Sequence, residues 1–357
     1  MRHRSLLSFL LTIATGLALT QAACAQGVRI GTEVVPDKPA GSLRLATYNV
    51  LNLFDDLDDP TLSGQFDDWY DQDRVLRAKP ESERRAVAEN IRRLDPDVLC
   101  LEEIESYDAL IAFRDQFLAD MGYEYVVSID VGQERGIENA VMSRFPLSDF
   151  KVWPDLDLGG VHPENYGPTG KNWYAGQPIT FRRSPLRVTV NVPAEKSASG
   201  KPYALTLFSV HHKSGRYNDY WRDKESAKIV EFIKQMEAEQ PAINIAVLGD
   251  FNAQHDEKVL QNYFDAGMID LYGDDKGFPV EPRLTHESDR RIDFILVNRN
   301  LANETDFNTR VVLGTPVRAK GADYRNVPAP DGYASDHMPV AVNIETADKP
   351  GTPAKPE

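Results

Sequence analysis

Short apolar runs, each ending in polar side chains, recur along the chain and set its rhythm. Residues 43–48 alternate as a strand that stops at Asn49, and residues 98–101 form a continuous apolar run that stops at Glu102-Glu103. Residues 125–129, 139–143, Leu186–Val192 and 203–210 read as further strands, the last running into His211-His212-Lys213-Ser214-Gly215. Residues 243–248 make a buried strand that turns at Gly249 and releases Asp250 and Asn252 together. Residues 292–297 and 338–342 complete the set, the second preceded by Ser335-Asp336-His337. Between these runs the period lengthens. Val87, Ile91 and Leu94 stripe a helix over 83–94 that Asp95-Pro96 stops. Helices are also expected over 108–121 and over 223–238, where Ile229, Ile233 and Met236 share a face. Helices feeding strands through short turns predict a layered α/β fold. Residues 55–73, with eight aspartates, and 151–177, rich in Gly, Pro, Trp and Asn, are too broken for core elements and read as surface loops.

The ends change the picture of where the protein works. Arg2 and Arg4, an apolar run over 6–19 and Ala23-Cys24-Ala25 describe an export signal over 1–25 that is too short for a membrane span. The expected location is periplasmic or extracellular, with a lipid anchor through Cys24 as the alternative, disfavoured because Gln21 stands where a branched apolar residue is wanted. Residues 26–41 read as a polar linker, 42–345 as one domain, and the Pro- and Lys-rich stretch 346–357 as a disordered tail. Removing Arg2 and Arg4 leaves 38 basic residues against 55 acidic ones, a net charge of −17. That balance excludes a broad basic face for nucleic acid but leaves room for a local site where a cation meets a phosphate. After cleavage Cys100 is the one remaining cysteine, so no internal disulfide forms, and its apolar neighbours make it a small buried hydrophobe.

The polar residues at the strand ends are Asn49, Glu103, His211, Asp250, Asn252, Asp293, Asp336 and His337. Carboxylates with an amide oxygen are hard donors suited to magnesium, manganese or calcium, whereas zinc asks for more imidazole or thiolate. Two histidines beside carboxylates suit a reaction that activates water and stabilises developing negative charge.

Thr47-Tyr48-Asn49-Val50, Leu101-Glu102-Glu103-Ile104-Glu105, Ser143-Arg144-Phe145-Pro146, His211-His212-Lys213-Ser214, Gly249-Asp250-Phe251-Asn252-Ala253, Arg291-Ile292-Asp293-Phe294 and Ser335-Asp336-His337-Met338-Pro339-Val340 stand in one order along residues 43–343. Together they resemble the motifs of the endonuclease/exonuclease/phosphatase superfamily, of which pancreatic deoxyribonuclease and the neutral sphingomyelinases are members. The resemblance implies a four-layer α/β sandwich, two mixed sheets face to face with helices outside. It implies that Glu103 is the principal metal ligand, with Asn49 and Asp336 supporting it, and that magnesium is the cation, manganese or calcium being the alternatives. It implies that Asp250 orients or deprotonates the attacking water and that Asn252 holds phosphate or water. His337 would face the scissile phosphate with Asp293 fixing its ring, and His211 would be the second imidazole. Leu51 departs from the pattern where many relatives carry an acid, which puts a second metal position in doubt. Glu102 replaces the usual Gln, and like-charge repulsion predicts that it faces away.

Asn139 and Lys213 are candidate substrate contacts, each weighed against an ordinary turn or solvated role. Strand alternation turns His212 to the other face, His255 and His286 are expected at the surface, and His162 is assigned no role. Trp69, Trp153, Trp173 and Trp221 read as partial core. The function these features imply is an exported, metal-dependent phosphodiesterase acting on nucleic acid. A sphingomyelinase-like phospholipid diesterase, a phosphatase for small esters and a non-catalytic phosphate-binding protein are the alternatives. Oligomeric state is not legible.

Overall fold

The computed structural model describes residues 28–57, 78–133, 135–273, 283–323 and 326–349. The expected export peptide, most of the aspartate-rich stretch 55–73 with Trp69, and the tail beyond 349 lie outside the described residues.

The alternating and continuous apolar runs become twelve strands in two mixed sheets. They are Ser42–Leu53 (β1), Val98–Ile104 (β2), Tyr125–Ser128 (β3), Glu138–Ser143 (β4), Leu147–Lys151 (β5), Leu186–Val192 (β6), Tyr203–His211 (β7), Ile245–Asp250 (β8), Ile269–Asp270 (β9), Asp293–Val297 (β10), Thr305–Val312 (β11) and Val340–Glu345 (β12). One sheet runs β11-β12-β1-β2-β4-β3 and the other β9-β10-β8-β7-β6-β5. Within each, the central pair is parallel (β1 with β2, β7 with β8) and its neighbours are antiparallel. The strand ends of both parallel pairs carry the candidate residues, as expected where ligands gather at the carboxyl ends of strands.

Leu43, Leu45, Val98, Cys100 and Val141 from one sheet meet Val188, Leu205, Leu207, Leu248 and Ile295 from the other in a core between the sheets. The first sheet's outer face packs on helices Glu81–Leu94 (α1) and Tyr107–Phe117 (α2) through Ala46, Leu99, Leu101, Ile91 and Phe113. The second sheet's outer face packs on Asp219–Glu239 (α3) and Lys258–Asp265 (α4) through Phe208, Val247, Ile229 and Leu260. The result is the four-layer α/β sandwich.

Local chemistry explains the helix ends. In α1 the apolar stripe is Val87, Ile91 and Leu94, and Asp95 adopts a left-handed conformation (φ 49°) just ahead of Pro96. Ser106 caps α2 by accepting from the Ala109 N–H at 3.0 Å.

Three expectations change. Residues 28–41 do not stand free: Val28–Ile30 pairs with Thr315–Val317, Lys38 bridges Asp95 and Asp97, and Arg44 and Asn343 bond the Pro36 and Asp37 carbonyls. The stretch 151–177 holds structure, with Asp157–Val161 pairing Pro178–Thr180 and Asn165–Tyr166 pairing Gly170–Lys171. Trp153 and Trp221 pack inward, but Trp173 is 94% exposed.

Candidate active site

The site is assembled where backbone regularity breaks. β1 and β2 lose register between Asn49 and Leu53, and Leu51, Asn52 and Glu103 all take positive φ (53°, 51° and 65°). Strict alternation would send Glu103 away from the core between the sheets. The left-handed turn re-aims it, so that its Oε2 accepts the Asn52 N–H at 3.1 Å and its Oε1 lies 3.8 Å from His211 Nε2. Across the sandwich, β8 ends through Gly249 at φ 142°, a conformation in which a Cβ would meet the Val210 carbonyl oxygen at 1.9 Å. Only glycine fits there. The register of β8 then pairs Asp250 with His211 on one side and with Asp293 on the other.

Asp250 is the hub. It is buried; its Oδ1 accepts the Asn252 N–H at 2.8 Å, and its Oδ2 accepts the side-chain amides of Asn252 at 3.0 Å and Asn49 at 3.2 Å. The same Oδ2 lies 3.5 Å from His211 Nε2 and 3.9 Å from His337 Nε2. Burial, opposed by His337 but reinforced by Asp293, pushes the Asp250 carboxyl up to about 6.

The two imidazoles are held in opposite states. His337 Nδ1 lies 3.0 Å from each Asp293 oxygen. Burial alone would lower its pKa, but Asp293, Asp336 and Asp250 outweigh burial and raise it well above the usual range, so it is an imidazolium. His211 is pushed well below that range by burial first and by Arg183 and Arg135 next, so it is neutral. Its Nε2 accepts from the Arg183 guanidinium at 2.5 Å. Arg183 is itself buried, and burial together with Arg135 brings its pKa to about 10.

Asp336 is brought to the histidines. Its Oδ2 is 3.3 Å from His286 Nε2 and its Oδ1 3.8 Å from His337 Nε2. Burial raises its carboxyl, yet His337 and His286 outweigh that and hold it below the usual range. Among the described residues, acidic and imidazole donors near enough to share an ion form two groups, His286–Asp336–His337 and Asp250–Asp293–His337. Glu103 stands outside both, beside Asn52 and His211. The carboxylates of Glu103 and Asp336 both act on buried Lys79, whose Nζ donates to the Leu51 carbonyl at 3.0 Å. The donor chemistry fits a hard divalent cation. Glu103, Asp250, Asp293 and Asp336 offer carboxylate oxygens and Asn49 an amide oxygen, while Arg135, Arg183, His337 and Lys79 are the cations around them.

Glu102 corrects an expectation. It does not turn away but sits fully buried beneath Gly249, its Oε1 accepting from Thr47 Oγ at 2.9 Å. Burial and the neighbouring Asp293 raise its pKa well above the carboxylate range. Repulsion is relieved by a retained proton rather than by orientation.

His212, as alternation predicts, faces the other way, between Glu225 at 3.2 Å and the Tyr263 hydroxyl at 3.2 Å. Asn139 is buried and donates to the Ser184 carbonyl at 2.9 Å, while Lys213 lies over the Trp221 ring at 5.6 Å. His255 is half-exposed near Asp270. His286, expected at the surface, instead faces the site, its ring 4.6 Å from that of His337. Arg183, Arg135 and Glu225 went unread in the sequence. For Arg183 a signal existed in Arg182-Arg183-Ser184-Pro185, paired cations immediately before an apolar strand.

Comparison with known proteins agrees with this architecture. Residues 46–337 match the Endonuclease/Exonuclease/phosphatase family. No curated protein matches the chain. The fold is similar to the human Nocturnin catalytic domain with bound sulfate anion (16% identity, TM-score 0.52, covering 89% of this chain and 98% of that one). It is similar to truncated Caenorhabditis elegans TDP2 (14%, 0.51, 87% and 100%) and to the endonuclease/exonuclease/phosphatase from Bacteroides vulgatus (16%, 0.51, 86% and 99%).

Proposed function

Because this chain belongs to the endonuclease/exonuclease/phosphatase family, and is thereby a metal-dependent phosphoric ester hydrolase, we propose that it is an exported phosphodiesterase that cleaves nucleic acid. The observation that carries the reading is Asp250 set between His337, whose ring Asp293 clamps, and His211, which a buried guanidinium holds. A water beside Asp250 loses its proton to that carboxylate as its oxygen bonds to phosphorus and the bond to the leaving oxygen breaks. Asn252 and Asn49 fix the carboxylate through its Oδ2. His337, clamped by Asp293, and Arg183 meet the charge that builds on the non-bridging oxygens. Glu103, with Asn49 and Asp336, would hold a magnesium ion that polarises the phosphoryl oxygens when bound.

The domain is read as 42–345, and the location as periplasmic or extracellular after loss of 1–25. Among the described residues no helix is long and apolar enough to cross a membrane.

The test is plasmid nicking by protein starting at Gln26, with magnesium and with chelator, beside Asp250→Asn. Metal-dependent nicking that the variant lacks supports the reading. Release of phosphate or phosphocholine from small esters or lipid without nicking would move the substrate, and silence on every ester would favour a binding protein.

A further inference from the structure

Trp173 is the most exposed large hydrophobic side chain among the described residues, yet the turn that carries it is tightly built. Asn172 bonds the Glu164 carbonyl through its N–H at 2.9 Å and the Tyr220 hydroxyl through its amide at 3.1 Å. The Tyr174 N–H donates to Asn172 Oδ1 at 3.1 Å and the Gly176 N–H to the His162 carbonyl at 3.0 Å. Beneath the turn, buried His162 bonds Tyr220 at 2.8 Å and stands edge-on to Trp221 at 4.3 Å, so the hairpin is bolted to α3. A rigid mount that holds an indole in water serves no core.

A second aromatic pair links this hairpin to the active site. Tyr166 meets Tyr217 edge-on at 5.5 Å. Side chains at Gly167 or Gly215 would collide with that pair, a Cβ at Gly167 meeting the Tyr217 ring at 2.6 Å. Gly215 belongs to the loop that leaves His211, and Arg183, which touches His211, also donates to Ser214 Oγ at 3.3 Å. Cations accompany the rings: Arg182 lies over Tyr174 at 4.9 Å and Arg216 over Tyr217 at 5.7 Å. Residues 164–177, 182–183 and 213–217 hold five basic side chains against one acid, in a chain whose net charge is −15.

We propose that Trp173, the Tyr166–Tyr217 pair and the surrounding cations form a lip on which unpaired bases of a single-stranded nucleic acid stack while its phosphate is presented to Arg183 and His337. The inference rests on the nuclease reading and narrows it. Exposed aromatic faces interleaved with cations bind single strands because every base offers a π-face and every nucleotide a phosphate. A duplex keeps its bases stacked and has none to offer. A membrane is the poorer occupant, since Glu164, Lys171 and Asn172 make the hairpin that carries Trp173 mostly polar.

The experiment uses the full mature chain, its Trp173→Ala variant and its Tyr217→Ala variant. A single-stranded oligonucleotide is titrated in chelator, with tryptophan fluorescence as the readout, and its hydrolysis is measured in magnesium. Hydrolysis of bis(p-nitrophenyl) phosphate is the reference for each protein. Quenching in the parent that Trp173→Ala loses, with a roughly tenfold rise in KM for single strands relative to the reference ester, is the expected result. A parent that cleaves single strands while both variants keep its quenching and KM would overturn the lip and leave the nuclease reading standing. A parent that hydrolyses the small ester but neither binds nor cleaves any nucleic acid would overturn both. Sedimentation with phosphatidylcholine–phosphatidylglycerol vesicles that only Trp173→Ala abolishes would reassign the lip to a membrane.

Discussion

Asp250 receives three hydrogen bonds yet keeps a pKa of about 6, because burial and Asp293 oppose ionisation. Asp250→Asn retains the shape and the capacity to accept the Asn252 N–H while removing the base, though its NH2 then faces the Asn252 and Asn49 amides. Hydrolysis should fall roughly 100- to 10,000-fold, far beyond what a shift of a few degrees in melting temperature explains, measured by initial rates and thermal unfolding. Arg183 offers a separate handle. Its guanidinium helps to keep His211 neutral, so Arg183→Gln should raise the His211 pKa, seen in imidazole NMR titration, together with a loss of activity. An unmoved His211 titration would show that burial and Arg135 suffice to hold the ring neutral. At this scale the sequence exposes the residues that end strands, since an apolar run makes its terminus visible. It hides those that reach the site from elsewhere: His286 reads as an ordinary loop histidine, and Arg183 acts through a hydrogen bond that no spacing encodes.

The elements were legible where burial imposes a period and obscure where it does not. β6 alternates so regularly that its bounds are exact, and α1 ends where Asp95-Pro96 must end it. β11 interrupts its pairing between Asp306 and Val311 and was not read, and the hairpins over 157–180 are too short for periodicity to register. Neither could the bulges be foreseen, because Leu51 and Glu103 are not residue types that announce positive φ, and Asn52, which tolerates it, does not by itself mark a bulge. Gly249 is the exception. Gly249→Ala would set a Cβ against the Val210 carbonyl, so it should destabilise the fold by on the order of 4 kcal/mol or prevent folding, read by denaturant unfolding. The turn into β11 buries a carboxyl. Glu304 accepts from the Tyr203 hydroxyl at 2.6 Å, and burial raises its pKa to about 7. Below its unfolded value of about 4.5 both states are protonated. As pH climbs from there to about 7, only the folded state must hold the proton, so stability falls across that window and levels above it. Glu304→Gln, which stays neutral, should flatten the melting temperature between pH 5 and 8; an equal slope in both proteins would remove Glu304 as the cause.

For the whole molecule, charge decides how substrate is met. The chain carries fifteen more acids than bases, yet several cations, Arg182, Arg183, Lys213 and Arg216, gather on the loops around His211 and Ser214. Long-range attraction of a polyanion is therefore absent, and contact must come from a few phosphates and from stacking. Affinity for an uncleaved single strand in chelator should fall with salt by a slope near −2 to −3 in log–log form, about 0.7 per phosphate contacted. A slope steeper than about −6 would require a broad basic face, which the sequence excludes. Loading with magnesium should shift the balance in two ways at once. The ion binds the folded site and not the unfolded chain, so the melting temperature should rise by a few degrees at saturating metal. It also adds two positive charges to the site, so affinity for the same strand, measured with Asp250→Asn to prevent cleavage, should rise when magnesium replaces chelator. If magnesium stabilises the fold but leaves strand affinity unchanged, the ion and the phosphate do not share a site, and Glu103 with Asn49 would then hold a structural ion rather than a catalytic one.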